Sequence, residues 1–218
     1  MELSEIEAAL QQADYQHRLA AIAALAKHPA AVAVPILQRH LRDPEFLVRT
    51  FVMRGLGKHR TEAALTALLQ SLKTDDTPSV RAEAANSISL FGQAIVPHLV
   101  HAFAVDDHWL VRQSILAALT DLGAAEALYE VCDRALSDEE FTVREMAIRA
   151  LGALGQGNRH TAALDRLLGL ARGDRPRERA LAALSLRHFP DERARQALVQ
   201  LRADPDHRVQ AAALEALL

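Results

Sequence analysis

The dipeptide Val48-Arg49 returns as Val80-Arg81, Val111-Arg112 and Val143-Arg144, at steps of 32, 31 and 32 residues. Five places before each valine stands an aspartate: Asp43, Asp75, Asp106 and Asp138. Eight places after each stands a large aliphatic residue: Leu56, Ile88, Leu119 and Leu151. A repeating unit this short cannot bury its own apolar face and becomes stable by stacking on copies of itself. Weaker copies continue the array. Val209 follows Asp204 by five, with Gln210 in the place of arginine. Glu178-Arg179 is a degenerate copy whose aspartate, Asp174, lies one residue too close, and His17-Arg18 leads to Ala21, Ala24 and Leu25. About seven units account for nearly the whole chain, so a single domain over 1–218 is expected.

Each unit reads as two helices. The anchor valine and the residues four and eight places later share one helical face, as in Val48/Val52/Leu56 and Val80/Ala84/Ile88. Seven places after the anchor the residue is small (Gly55, Ser87, Ala118, Ala150, Ser185, Ala216), which lets a neighbouring backbone approach. Periodicity and breakers predict helix pairs at 2–12 and 14–27, 31–41 and 44–58, 61–73 and 78–91, 94–105 and 107–122, 124–136 and 139–154, 160–172 and 175–188, and 191–203 and 206–217. No segment alternates with period two, so no sheet is predicted. Asp43 is expected to cap the helix that follows it, with Pro44 tolerated in the first turn. Gly155-Gln156-Gly157-Asn158 is the strongest breaker and predicts a loosened junction near 155–158.

The recurring acid and base predict a polar ladder in which Arg49, Arg81, Arg112 and Arg144 reach Asp43, Asp75, Asp106 and Asp138 of the same or the next turn through charge-assisted hydrogen bonds. A row of arginines that binds an anion is the functional alternative. Trp109 lies two places before its anchor, where Phe46, Pro78, Phe141 and His207 stand in other copies. That position reads as inter-repeat packing or as a partner contact. The residues that face away from the core stripe of the second helices are the best binding candidates: Phe51, Arg54, Glu83, Asn86, Gln113, Met146 and Arg149, together with Trp109. Such a mixture of arginine, amide and apolar groups suits a protein interface.

Other chemistries find little support. His98 and His101 stand three apart on a first helix without a carboxylate or cysteine spaced to complete a metal set, so no metal is expected. Cys132 is the only cysteine, which excludes an internal disulfide and any CxxC site. It reads as a half-buried apolar residue, and no catalytic residue is assigned. A net charge of −3 argues against nucleic acid as a partner. Seven arginines between 172 and 195 give a local basic excess of three, read as solvated faces around a loop. The longest apolar run, 19–26, is far too short to span a membrane. The first residues, Met-Glu-Leu-Ser-Glu, carry no basic-then-apolar block, so a cytoplasmic protein is expected.

The segments Ala33-Val34-Pro35-Ile36-Leu37, Leu41-Arg42-Asp43, Val48-Arg49 and Gly55-Leu56-Gly57 resemble HEAT-like repeats, as do Ile95-Val96-Pro97-His98-Leu99 and Val111-Arg112. They are most similar to the short variety found in phycobilin lyases and related cyanobacterial proteins, including the phycobilisome-degradation protein. The resemblance covers nearly all of the chain. It implies an all-α fold, a right-handed α-solenoid of about seven HEAT-like helical hairpins. It further implies an adaptor rather than an enzyme, holding a protein partner, a phycobiliprotein or its bilin, on a concave face. A bilin would then be a ligand, with no other cofactor. A phycobilin lyase subunit and a generic scaffold unrelated to pigments are the alternatives. The run Tyr-Asn-Tyr-Gly-Ala-Arg, associated with some lyase subunits, does not occur. The His-Glu dipeptides of HEAT-built di-iron hydroxylases and the clustered cysteines of HEAT-built queuosine reductases are also missing.

Overall fold

The structure is a computed structural model that describes residues 1–218. It is all-α, of the α-solenoid class, with fourteen helices paired as seven hairpins, and no helix is long and apolar enough to cross a membrane. The first helices of the hairpins are α1 (Leu3–Leu10), α3 (Ala30–Arg39), α5 (Glu62–Thr74), α7 (Val96–Val105), α9 (Ala125–Ala135), α11 (His160–Leu170) and α13 (Glu192–Leu201). The second helices are α2 (Tyr15–Ala24), α4 (Phe46–His59), α6 (Pro78–Ser89), α8 (Trp109–Asp121), α10 (Phe141–Gly152), α12 (Pro176–Leu186) and α14 (His207–Leu217). By contacts the chain falls into two compact units, Met1–Ala118 and Leu119–Leu218.

In unit 1 the apolar stripe of each second helix is fully enclosed: Val48, Val52, Leu56, Val80, Ala84, Ile88, Val111 and Ile115 all lie at 0% exposure. Unit 2 repeats this with Val143, Ala147 and Leu151. Within each unit, adjacent second helices pack more intimately than adjacent first helices do, α4 on α6 and α12 on α14 above all. Small residues make this possible. Gly57 of α4 lies against Ser87 of α6, where an added Cβ would stand 2.8 Å from the serine Cβ. Gly152 of α10 meets Ser185 of α12 in the same way, and the Ser185 hydroxyl donates to the Ile148 carbonyl at 3.0 Å. The second-helix layer is therefore the tighter side of each stack, and its outward residues make up the face expected to be the inner wall.

Gly57 is thus kept small by a neighbour. Gly57→Ala gains about 1 kcal/mol of helix propensity but overpacks a closed contact at a cost of about 1–3 kcal/mol. A net loss of about 1 kcal/mol is expected. At Gly169 in α11 an added Cβ would meet nothing within 4 Å, so Gly169→Ala should instead stabilise by up to about 1 kcal/mol. Urea unfolding of the two variants is expected to move in opposite directions.

The helix starts correct one expectation. Asp43 does not cap α4; its Oδ1 accepts from the Glu45 amide at 3.0 Å, closing a turn two residues ahead of the helix, and Glu45 is the N-cap residue. Asp75, Asp106, Asp138 and Asp204 close the same turn on Thr77, His108, Glu140 and Asp206. Proline takes the first helical position in α6 and α12, where a missing N–H costs nothing. At the end of α2 the chain tightens into a 3-10 turn over Leu25–Lys27 before Pro29 opens α3.

Candidate functional site

The ladder sits where the turns meet the second helices. Arg18, Arg49, Arg81, Arg144 and Arg179 each bridge two repeats. Arg49 donates from Nε and Nη2 to the two Asp75 oxygens at 2.8 and 3.0 Å, and from Nη1 to the Asp43 carbonyl at 2.8 Å. Arg81 does the same with Asp106 and the Asp75 carbonyl, and Arg179 with Asp204 and the Gly173 carbonyl. Arg18 reaches Asp43 at 2.9 Å. The carboxylate partner is therefore the next repeat's, and the own-repeat aspartate contributes its carbonyl. Arg112 and Arg144 donate to the carbonyls of Asp106 and Asp138. Gln210 keeps only this second bond, its amide donating to the Asp204 carbonyl at 2.7 Å.

The degenerate sixth repeat shows how strict the ladder is. Gly173 stands at the aspartate position, and Arg179 bonds its carbonyl, while Asp174 contributes only its nearby charge. Arg144 instead donates to Glu178, 2.9 Å away, which occupies the anchor position that valine holds elsewhere and is buried. Arg175 donates to the same oxygen at 2.9 Å. Sequence spacing missed this exchange, although a glutamate in an apolar column beside a glycine in the acidic column was its signal.

Burial pushes the carboxyls of Asp43 and Glu178 up, but the arginine hydrogen bonds and charges outweigh it and hold both below the usual range. For Asp204 the Arg179 hydrogen bonds lead, and its carboxyl is likewise lowered. Lowered carboxyls stabilise the fold at neutral pH, and that contribution is lost as pH falls through their folded values. His40 works in the same direction for a different reason. Burial lowers it although Asp43 lies 3.8 Å away, so acid protonates this imidazole more readily in the unfolded chain.

The inner-wall candidates lie on the outward side of the second helices. In unit 1, Arg54 is 54% exposed, lies over the Phe51 ring at 5.3 Å and forms a two-point bond to Glu83 at 3.0 and 3.2 Å. Phe51, Glu83 and Gln113 are half-buried, and Asn86 is exposed. Trp109 is 38% exposed and stacks on His108 at 5.7 Å; Phe46 at the equivalent position is 42% exposed. The ring column thus presents much of its surface to solvent at the edge of unit 1. In unit 2, Met146 is half-buried and Arg149 pairs with Glu145 at 3.0 Å. Arg149 also lines an open recess of about 460 Å³ with Gly152, Gly155, Gln156 and His188.

The remaining residues take plain structural places. Cys132 is fully buried rather than half-buried, and burial pushes its thiol up, away from the reactive thiolate. The basic segment is largely neutralised: Arg175 bonds Glu178, Arg179 bonds Asp204, and Arg193 bonds Asp191 and Asp165. Arg177 lies over the Phe141 ring at 4.2 Å. His98 and His101 project from α7 into a cleft facing α5.

Comparison with known proteins fits this geometry. The structure is similar to the CpcE–CpcF complex of phycocyanin lyase from Nostoc sp. PCC7120, with TM-score 0.55 and 22% identity over 100% of this chain and 88% of that one. It is similar to Escherichia coli YibA, with TM-score 0.69 and 17% identity over 99% and 82% of the two chains. It is also similar to Pds5 from its complex with Scc1, with TM-score 0.66 and 13% identity over 97% of this chain and 40% of that one. At these identities the likeness is one of fold. No curated protein matches the sequence significantly. The family profile for HEAT repeats matches residues 3–89, 96–187 and 133–218, and with the stacked hairpins this establishes that the chain belongs to the HEAT-repeat family.

Proposed function

We propose that the protein is a non-enzymatic adaptor that engages a protein partner through the inner wall of its second helices. The observation that carries this reading is the Phe51–Arg54–Glu83 arrangement. There a half-exposed guanidinium is held over an aromatic ring and against a carboxylate, so little side-chain freedom remains to be lost on binding. Arginine and aromatic residues carry most interface energy, and Asn86, Gln113 and the edge ring of Trp109 supply further contacts in unit 1. Met146 and Arg149 play the corresponding part in unit 2. The repeat segments resemble those of phycobilin lyases and the phycobilisome-degradation protein, which makes a phycobiliprotein, or the bilin it carries, the proposed partner. The solved lyase complex supports this reading in so far as two chains, CpcE and CpcF, make up that phycocyanin lyase.

The test is binding to purified phycobiliproteins with Arg54→Glu and Arg149→Glu in place. Each substitution is expected to weaken binding at least tenfold, about 1.4 kcal/mol, while circular dichroism stays unchanged. Undiminished binding would remove the inner wall from the interface. Incubation with free bilin and apo-phycobiliprotein addresses the lyase alternative, since covalent transfer of colour would make the chain an enzyme subunit. If neither phycobiliprotein nor bilin binds, the protein is a scaffold for a different partner.

A further inference from the structure

On the first-helix side of unit 1, α5 and α7 part around a cleft of about 720 Å³, within the range of small-molecule sites. Its apolar walls are Leu69 and Leu72 of α5 and Ala102 and Val105 of α7. Val105 is 67% exposed, an aliphatic side chain left to water in a structure that encloses most others. From Thr66 to Thr74 the cleft runs along about 12 Å of helix, at roughly 1.5 Å per residue. In unit 2 the outer helices are tied together: Glu126 of α9 accepts from Asn158 and Arg159 at the start of α11, and Arg166 of α11 bonds Asp133 of α9.

The polar groups of the cleft divide by whether they are already engaged. Thr66 donates to the Glu62 carbonyl, and Gln70 and Thr74 bond each other. Asp75 is taken by Arg49 and Asp106 by Arg81. Lys73, His98 and His101 remain on the rims, with Asp107 at one end, and none of the four makes an ion pair. Three basic side chains thus stand over an apolar floor against one such acid. Each imidazole has an N–H to donate in either tautomer, and the lysine adds a full positive charge.

We infer that this cleft is a binding site for a small apolar carboxylate, of the kind a medium-chain acid represents. The chain lies against Leu69, Leu72, Ala102 and Val105, and the carboxylate is met by Lys73 with His98 or His101. The site lies on the first-helix side, away from the inner wall, and stands whatever the protein partner proves to be. Titration calorimetry of the full chain with decanoate, and separately with decylamine, tests it. Decanoate is expected to bind one to one, and decylamine at least tenfold more weakly. Lys73→Glu and Val105→Asp are each expected to weaken decanoate at least tenfold. Both positions are exposed, and unchanged thermal unfolding is the check that the fold is kept. Equal affinity for the amine, full affinity in both variants, or no heat with decanoate overturns the assignment.

Discussion

Arg49→Ala is expected to cost about 3 kcal/mol, because it strands a carboxylate that has left water. The Arg49 and Asp75 side chains retain only 11% and 8% of their exposure. The arginine makes two bonds to Asp75, one to the Asp43 carbonyl, and two more to Asp76 and Thr77. The gain from a buried pair is small against its apolar replacement, but breaking one side exposes the full desolvation cost of the other. Arg49→Lys should recover less than half of the loss, since an ammonium cannot reproduce the fork. Arg49→Met with Asp75→Asn should be less destabilised than Arg49→Ala alone. Asparagine retains an oxygen for the Thr77 amide, which Asp75 now accepts at 2.9 Å, and carries no charge. Asp76→Asn removes a partner that is 89% exposed and should leave the unfolding midpoint essentially unchanged. Urea unfolding followed by circular dichroism separates these cases, and a loss below about 1 kcal/mol for Arg49→Ala would reduce the ladder to surface decoration.

The ladder also shows what a sequence of this kind yields to inspection and what it withholds. The period, the two-helix unit and the buried stripe were readable because one physical demand, burial of Val48, Val52 and Leu56 and their counterparts, recurs at every copy. The pairing partner was not, because the same-repeat and next-repeat aspartates are equivalent by spacing alone. Three-dimensional stacking breaks that equivalence: the own-repeat acid turns its side chain to the Glu45 or Thr77 amide and to the preceding arginine, and offers only its carbonyl inward. Glu178 is a sharper case. A charged residue in the valine column reads as decay of the repeat, yet it supplies the carboxylate that Gly173 lacks. The candidate wall was legible as a set of helical positions, since a face is a matter of periodicity. The cleft between α5 and α7 was not, because spacing within a helix says nothing of how far two helices stand apart.

Gly155→Ala is expected to destabilise unit 2 by about 3 kcal/mol, at the upper end of overpacking effects. A Cβ at this position would lie 2.2 Å from the His188 carbonyl oxygen and 2.9 Å from its carbon. Backbone, unlike a flexible side-chain end, cannot swing aside, so the residues following α12 would have to move. The Gly155 carbonyl is committed as well, accepting from His160 Nδ1 at 2.7 Å, which ties the breaker to the first residue of α11. Gly157 is in a different position. It has φ of 95° and open space around it, so Gly157→Ala meets no neighbour and carries only the conformational cost of about 1–2 kcal/mol. The two glycines of one breaker therefore serve different ends, close approach at 155 and a left-handed turn at 157. Any loosening of the junction is accordingly proposed for Gly157, which has open space around it, rather than for Gly155. Amide exchange should be faster at Gly157 than at the middle of α10 and α12, and should spread into α12 in Gly155→Ala. Thermal unfolding that ranks Gly157→Ala as the more damaging change would refute the packing role of Gly155.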